Sequence, residues 1–175
     1  MTLELGILTL LFSCLLSIPI GLFCAAKQDS IPDYVFRVIS ILLVSIPVFW
    51  IATMVIIYPA LWWHYAPPTD YVSFFVNPLK NLQMFIVPAI LGALMQAGIQ
   101  MRAVRTMTLE VMRLDYIRTA WAKGVKERVI LLKHAFRNAM IPVVTMIGGA
   151  AASMIGGSVI MESGFNIPGI GQQVI

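Results

Sequence analysis

The sequence predicts an all-α membrane protein, a polytopic bundle of about four transmembrane helices with a further short helix in the loop before the last. Three observations predict it. Hydrophobic residues make up 59% of the 175 positions and charged residues 11%, whereas an ordinary soluble domain carries about 25% charged residues. So little charge cannot cover a soluble surface, which excludes a soluble enzyme and a disordered tail. Four stretches, 5–26, 38–63, 81–101 and 138–161, contain no Asp, Glu, Lys, Arg or His. Finally, nine of the twelve bases fall between Arg102 and Arg137.

Each charge-free stretch is long enough to span. A helix crosses ~30 Å of hydrocarbon with about 20 apolar residues, and the four stretches have 22, 26, 21 and 24. Buried helices of a large soluble core would need a polar shell that this chain lacks. The first span holds both cysteines. Cys14 and Cys24 are about 15 Å apart along one helix, too far for a mutual disulfide, and read as small apolar fillers. The second span is longer than needed and is expected to tilt, or to begin and end in the interface. Every span contains proline: Pro19, Pro47 with Pro59, Pro88, and Pro142. Such kinks are tolerated in a bilayer and suit a rearranging protein as well as a static one. The fourth span carries two small-residue ridges, Gly148–Ala152–Gly156 and Gly149–Ser153–Gly157. They allow close helix approach, either within the chain or between subunits.

Loop charge sets the direction. With the basic segment 102–137 on the cytoplasmic side, eleven bases lie inside and only Lys80 outside, which fits the positive-inside rule. That segment carries net +6 and the remainder −2. Between bilayer-length apolar runs it reads as a membrane-flanking loop rather than a nucleic-acid patch. Trp62, Trp63 and Tyr65 then mark the outer interface, and Tyr34 and Phe36 the inner one. Both chain ends fall outside, so the chain is expected to be a fragment lacking at least one span on each side.

Within the basic loop, Asp115 is expected to cap a helix over 116–123, with Gly124 in the left-handed position that ends it. Ile117 and Trp121 form one apolar strip; Tyr116, Thr119, Ala120 and Lys123 form a second with small residues at its centre. So short a helix needs something to pack on, and its small face suits insertion into a groove. A second amphipathic stretch, with Val125, Val129, Leu132, Phe136 and Ala139 on one side, leads into the fourth span. It reads equally as a force-transmitting helix and as a basic helix lying on anionic lipid.

Catalytic chemistry is not indicated. His64 and His134 stand apart from any carboxylate or thiol cluster, so no metal or other cofactor is called for. No phosphate-binding G-x-x-x-x-G-K-[ST] loop occurs, and Gly169-Ile170-Gly171 is too short for a dinucleotide fingerprint. No span carries an ionisable residue, which argues against a proton- or sodium-coupled transporter.

The loop reads Asp115-Tyr116-Ile117-Arg118-Thr119-Ala120-Trp121-Ala122-Lys123-Gly124, then His134-Ala135-Phe136-Arg137-Asn138-Ala139-Met140-Ile141-Pro142. It closely resembles the permease subunits of binding-protein-dependent ABC importers, in the dipeptide/oligopeptide/nickel family and its Tyr-x-Arg-Thr-Ala branch. Against the general E-A-A-x-x-x-G signature, Gly124 matches the glycine and Arg118-Thr119-Ala120 occupy the first three positions, so the glutamate is absent. The later I-x-L-P falls on residues 134–137, without its proline. Trp121 stands where this branch commonly has arginine. Thr2-Leu3-Glu4-Leu5-Gly6 resembles the start of the family's core domain, and Glu162, Phe165, Pro168, Gly169 and Gly171 its E-x-x-F-x-x-P-G-x-G segment.

The resemblance covers nearly all of residues 1–175 and implies one type-1 permease domain, cut at both ends. It implies that the loop helix is a coupling helix docking in a groove of a separate cytoplasmic ABC ATPase, where ATP is hydrolysed. Tyr116, Thr119 and Ala120 are expected at the groove, Asp115 and Gly124 at the helix ends, and Arg118 and Lys123 against ATPase carboxylates. The implied partners are a second homologous permease subunit in a heterodimer, an extracytoplasmic substrate-binding protein and the bilayer. The implied location is the inner membrane of a bacterial or archaeal cell, and the implied cargo a di- or oligopeptide or a small solute such as nickel. A secondary transporter or channel, and a truncated non-transporting scaffold, are the alternatives. Gln96, Gln100, Thr53, Thr145 and Ser153 are candidate cargo ligands by position alone.

Overall fold

A computed structural model describes residues 1–64, 68, 71–157, 159–165 and 167–170, with the side chains of 154–159 outside the description. The described residues are helical with no strand. In order they form α1 (Thr2–Ala26), α2 (Ile31–Ser45), α3 (Val48–Trp63), α4 (Pro78–Met112), α5 (Asp115–Ala122) and α6 (Glu127–Val129). A π-helical turn (Ile130–Ala135), α7 (Phe136–Gly157) and α8 (Val159–Gly164) follow.

The bundle is organised on α1 and α4. Leu5, Thr9, Ser13, Ser17, Gly21 and Ala25 recur every fourth residue of α1 and are all buried, because positions four apart share a helix face. Leu3, Ile7, Leu11 and Leu15 point outward. This inverts the soluble pattern: small and hydroxylated side chains face the neighbouring helix, and leucines face lipid. A Cβ on Gly92 would lie 3.0 Å from Thr9 Cγ2. Ser17 Oγ donates to Gln100 Oε1 at 3.0 Å, and a Cβ on Gly21 would come within 2.8 Å of Val104 Cβ. Thr9, Ser17 and Gly21 each thus meet the residue 83 positions later, so the two helices run parallel in one register. At 35 residues, α4 is ~52 Å long and continues past the hydrocarbon at the basic end.

The second expected span is broken. α2 and α3 meet at 88°, with Ile46 extended (φ −86°, ψ 126°) and Pro47 as the boundary residue of α3. Proline has no N–H to give, and its ring drives the preceding residue out of the helical region. A tilted continuous helix over 38–63 is therefore corrected to two helices. Three others, Thr2–Ala26, Pro78–Met112 and Glu127–Ser153, are each long and apolar enough to cross a membrane. Trp62 and Trp63 are exposed at the end of α3, edge to face at 6.3 Å, while Tyr65 lies outside the described residues.

α2 is tied to α4 by charge and by close approach. Arg105 Nε and Nη2 donate to Asp33 Oδ1 and Oδ2, both at 2.7 Å, and Arg37 Nη2 donates to Oδ2 at 2.8 Å. Asp33 is fully buried. A Cβ on Gly98 would stand 2.8 Å from the Ser40 carbonyl oxygen.

At the opposite end, the two stretches that resemble the family outside the loop meet each other. Ile170 N donates to Thr2 Oγ1 at 2.9 Å. Phe165 and Ile167 bury against Leu5, Met84 and Phe85, and Ile167 N donates to the Glu162 carbonyl at 2.8 Å. Any Cβ on Gly169 would collide with the buried Glu162 carboxylate. Gly171 lies outside the described residues.

Candidate functional site

The loop helix α5 is one turn of chemistry at each end and an anchor in between. At its start, Leu114 is extended (ψ 149°), and its carbonyl accepts from Ile117 N at 3.0 Å and Arg118 N at 3.3 Å. Leu114 therefore occupies the cap position expected for Asp115. Asp115 sits one residue inside, where its carboxylate still complements the helix dipole and accepts from Arg118 Nη1 at 3.3 Å. At the other end Gly124 has φ +76°. Gly124 N donates to Trp121 O at 2.9 Å and Val125 N to Ala120 O at 3.2 Å, the paired bonds of a left-handed glycine cap. The expected end at Gly124 is the observed one.

Between the caps the apolar strip divides. Ile117 is fully buried with Ile130 and Ala135, and Val111, Met112, Ala120 and Val125 pack around them. Trp121, one turn further on, is 41% exposed. Asp115, Tyr116, Arg118, Thr119, Lys123 and Gly124 are exposed, and Ala120 is half-buried. The outer face of α5 is therefore aromatic and small side chains among cations, with Arg113, Lys126 and Arg128 exposed beside it.

Tyr116 also reaches α7. Asn138 Nδ2 donates to Tyr116 Oη at 2.7 Å and to the His134 carbonyl at 3.3 Å; Tyr116 Oη donates to that carbonyl at 3.5 Å. The meeting point follows the π turn, where Phe136 N donates to Leu131 O, five residues back. Such turns are inserted in helices frequently at functional sites. The continuous structure expected from the loop into the last span is present, as Glu127–Ser153.

Gly148 and Gly149 of the α7 ridges stand clear of the other described residues, while Ser153 borders a cavity that α1 and α4 also line. A Cβ added at Gly148 or Gly149 meets nothing within 4 Å, and Ala152 and Ser153 are exposed. The side-chain surroundings of Gly156 and Gly157 lie outside the description. The close small-residue packing within the chain belongs instead to Thr9, Ser17 and Gly21 of α1. Their fourfold spacing was the sequence signal for it.

The polar candidates separate. Gln96 and Ser153 line one cavity of ≈ 270 Å³ with Thr9, Met95, Val44 and Val48. Gln100 is buried as the partner of Ser17. The hydroxyls of Thr53 and Thr145 donate to carbonyls of their own helices, at Phe49 and Ile141. Cys14 and Cys24 are free thiols. Among the described residues no group of three His, Cys, Asp or Glu side chains could hold a metal ion. The Asp33–Arg105 pair carries no local motif, since its partners are 72 residues apart.

Comparison with known proteins agrees with the loop. A Brucella suis biovar 1 (strain 1330) protein named as a peptide transport system permease is 38% identical over 174 residues, 99% of this chain and 55% of that protein. The dipeptide transport system permease protein DppB of Escherichia coli (strain K12) is 33% identical over 197 residues, 99% of this chain and 58% of that protein. A Brucella ovis peptide permease is 35% identical over 170 residues, covering 95% and 53%. The chain thus spans about half the length of these relatives. Residues 17–175 match the family described as binding-protein-dependent transport system inner membrane component, and the chain belongs to that family.

Proposed function

We propose that this chain is membrane-embedded permease sequence of an ATP-driven ABC importer for di- or oligopeptides or a related small solute such as nickel. The observation that carries the reading is α5, an eight-residue helix capped by Gly124, anchored by Ile117 and otherwise turned outward. Relatives named for peptide and dipeptide transport support the cargo class. In this reading residues 1–175 are part of one permease domain in a bacterial inner membrane, with segment 102–137 cytoplasmic. α5 docks in a groove of a separate ATPase, which hydrolyses ATP. A substrate-binding protein delivers cargo from outside, and a second homologous permease subunit completes the pathway. The outward ridge of Gly148, Gly149 and Ala152 is the candidate contact with that subunit.

Exposed ion pairs are each worth only ~0.2–1 kcal/mol, so Arg118 and Lys123 tune docking while shape dominates it. The test is co-purification of the ATPase with the assembled transporter, together with ATP-dependent uptake of radiolabelled dialanine into proteoliposomes. Stable association that is lost on substituting the outer face of α5 supports the reading. Association indifferent to every residue of α5 rejects it.

A further inference from the structure

We propose that Asn138, held against Tyr116, is the positioning residue through which movement of α5 reaches α7. The inference rests on the reading of α5 as a docking helix.

α5 has two attachments to the bundle, and they differ in kind. Ile117 lies in an apolar cluster that α5 shares with Ile130 and Ala135 but also with Val111 and Met112 at the end of α4. Apolar contact is non-directional, so a push on Ile117 spreads to both helices. Among the described residues the Tyr116 hydroxyl bonds to Asn138 and the His134 carbonyl. It is directional, and its partners lie in the π turn and the first turn of α7.

The surroundings suit transmission. Asn138 Nδ2 closes a ring of three hydrogen bonds with Tyr116 Oη and His134 O. The ring sits where the six-residue π turn gives way to α7, the part of the helix whose hydrogen-bond ladder is already widened. Movement of Tyr116 would draw Asn138 and the start of α7 with it. Tyr116 and Asn138 are exposed, so breaking their bond alters transmission far more than folding.

The experiment uses the complete transporter with its ATPase in lipid nanodiscs, in a Cys14→Ala, Cys24→Ala background. Spin labels go on Leu15→Cys of α1 and Thr145→Cys of α7, both outward-facing, and the distance between them is measured without nucleotide and with ATP and vanadate. The nucleotide-driven change of the parent should fall by half or more in Tyr116→Phe and in Asn138→Ala. Asn138→Ala should keep the ATPase at the parent's stoichiometry, and the double variant should lose no more of the change than the larger single loss. An undiminished change in both single variants overturns the proposal. So does loss of the ATPase from Asn138→Ala, which would make the amide a docking contact. A parent that retains no ATPase overturns the docking reading itself, and this inference with it.

Discussion

The Ser17 hydroxyl donates to the Gln100 amide oxygen at 3.0 Å, with both side chains fully buried between α1 and α4. Hydrogen bonds between membrane helices are worth ~0.6 kcal/mol on average, whereas forcing bulk into a tight contact costs ~1–3 kcal/mol. The tight contact here is Gly21 against Val104 and the Met101 carbonyl. Gly21→Val should therefore destabilise the bundle more than Ser17→Ala. Unfolding midpoints in SDS titration check the order, and the reverse order would make polarity rather than shape the main bond between these helices.

Asp33 is held by three charge-assisted hydrogen bonds from Arg105 and Arg37. Breaking a fully buried pair costs ~3–5 kcal/mol; losing Arg105 leaves the buried Asp33 carboxylate with Arg37 alone, so part of that cost applies. Arg105→Leu should accordingly lower thermal stability in detergent sharply. Asp33→Leu combined with Arg105→Leu should recover part of the loss, since no under-paired buried carboxylate remains and Arg37 is partly exposed. A double variant less stable than either single one would contradict the pairing.

Gly124 has φ +76° and open space around its Cα. Conformation, and not room, is what the position restricts. Left-handed geometry costs an ordinary L-residue ~1–2 kcal/mol, and asparagine tolerates it best. Gly124→Asn should keep most ATPase association and Gly124→Val should lose it, measured by pull-down from the assembled transporter. Equal behaviour of the two variants would show that the cap does not shape docking.

Filling the small face of α5 should uncouple transport, but its two small residues are not equivalent. Ala120 packs against the Ile117 cluster, so Ala120→Trp disturbs the anchor as well as the outer face. Thr119 is exposed and donates to the Asp115 carbonyl at 3.0 Å. Thr119→Trp should abolish ATPase stimulation with the melting temperature unchanged. Normal stimulation in that variant would remove Thr119 from the docking surface.

Much of this was legible in the sequence. Charge-free runs located the long helices because a bilayer admits little else, and Gly124 was readable because few residues end a helix as it does. The break at Pro47 was not, because membrane helices tolerate proline and nothing local separates a kink at Pro88 from a break at Pro47. Asp115 was displaced by one residue, since Leu114 ends the preceding turn without a capping side chain. The bond between Tyr116 and Asn138 and the pair of Asp33 with Arg105 depend on distant segments meeting, which neither composition nor periodicity encodes. The fourfold run Thr9, Ser13, Ser17, Gly21 was visible but diluted among leucines, and the glycines of α7 drew attention in its place.

The shared register of α1 and α4 settles a matter of parity. Two adjacent strands of a hairpin must run in opposite directions, so parallel helices cannot be joined by a simple turn. From Ala26, level with the far end of α4, the chain must travel back to the level of Pro78 before α4 begins. The only described helices in between are α2 and α3. Among the described residues α2 carries the chain back along α4, Asp33 meeting Arg105 and Ser40 meeting Gly98 in the opposite order. It follows that Lys27, Arg37 and the basic end of α4 lie at one end of the bundle, a conclusion reached from helix direction without counting a charge.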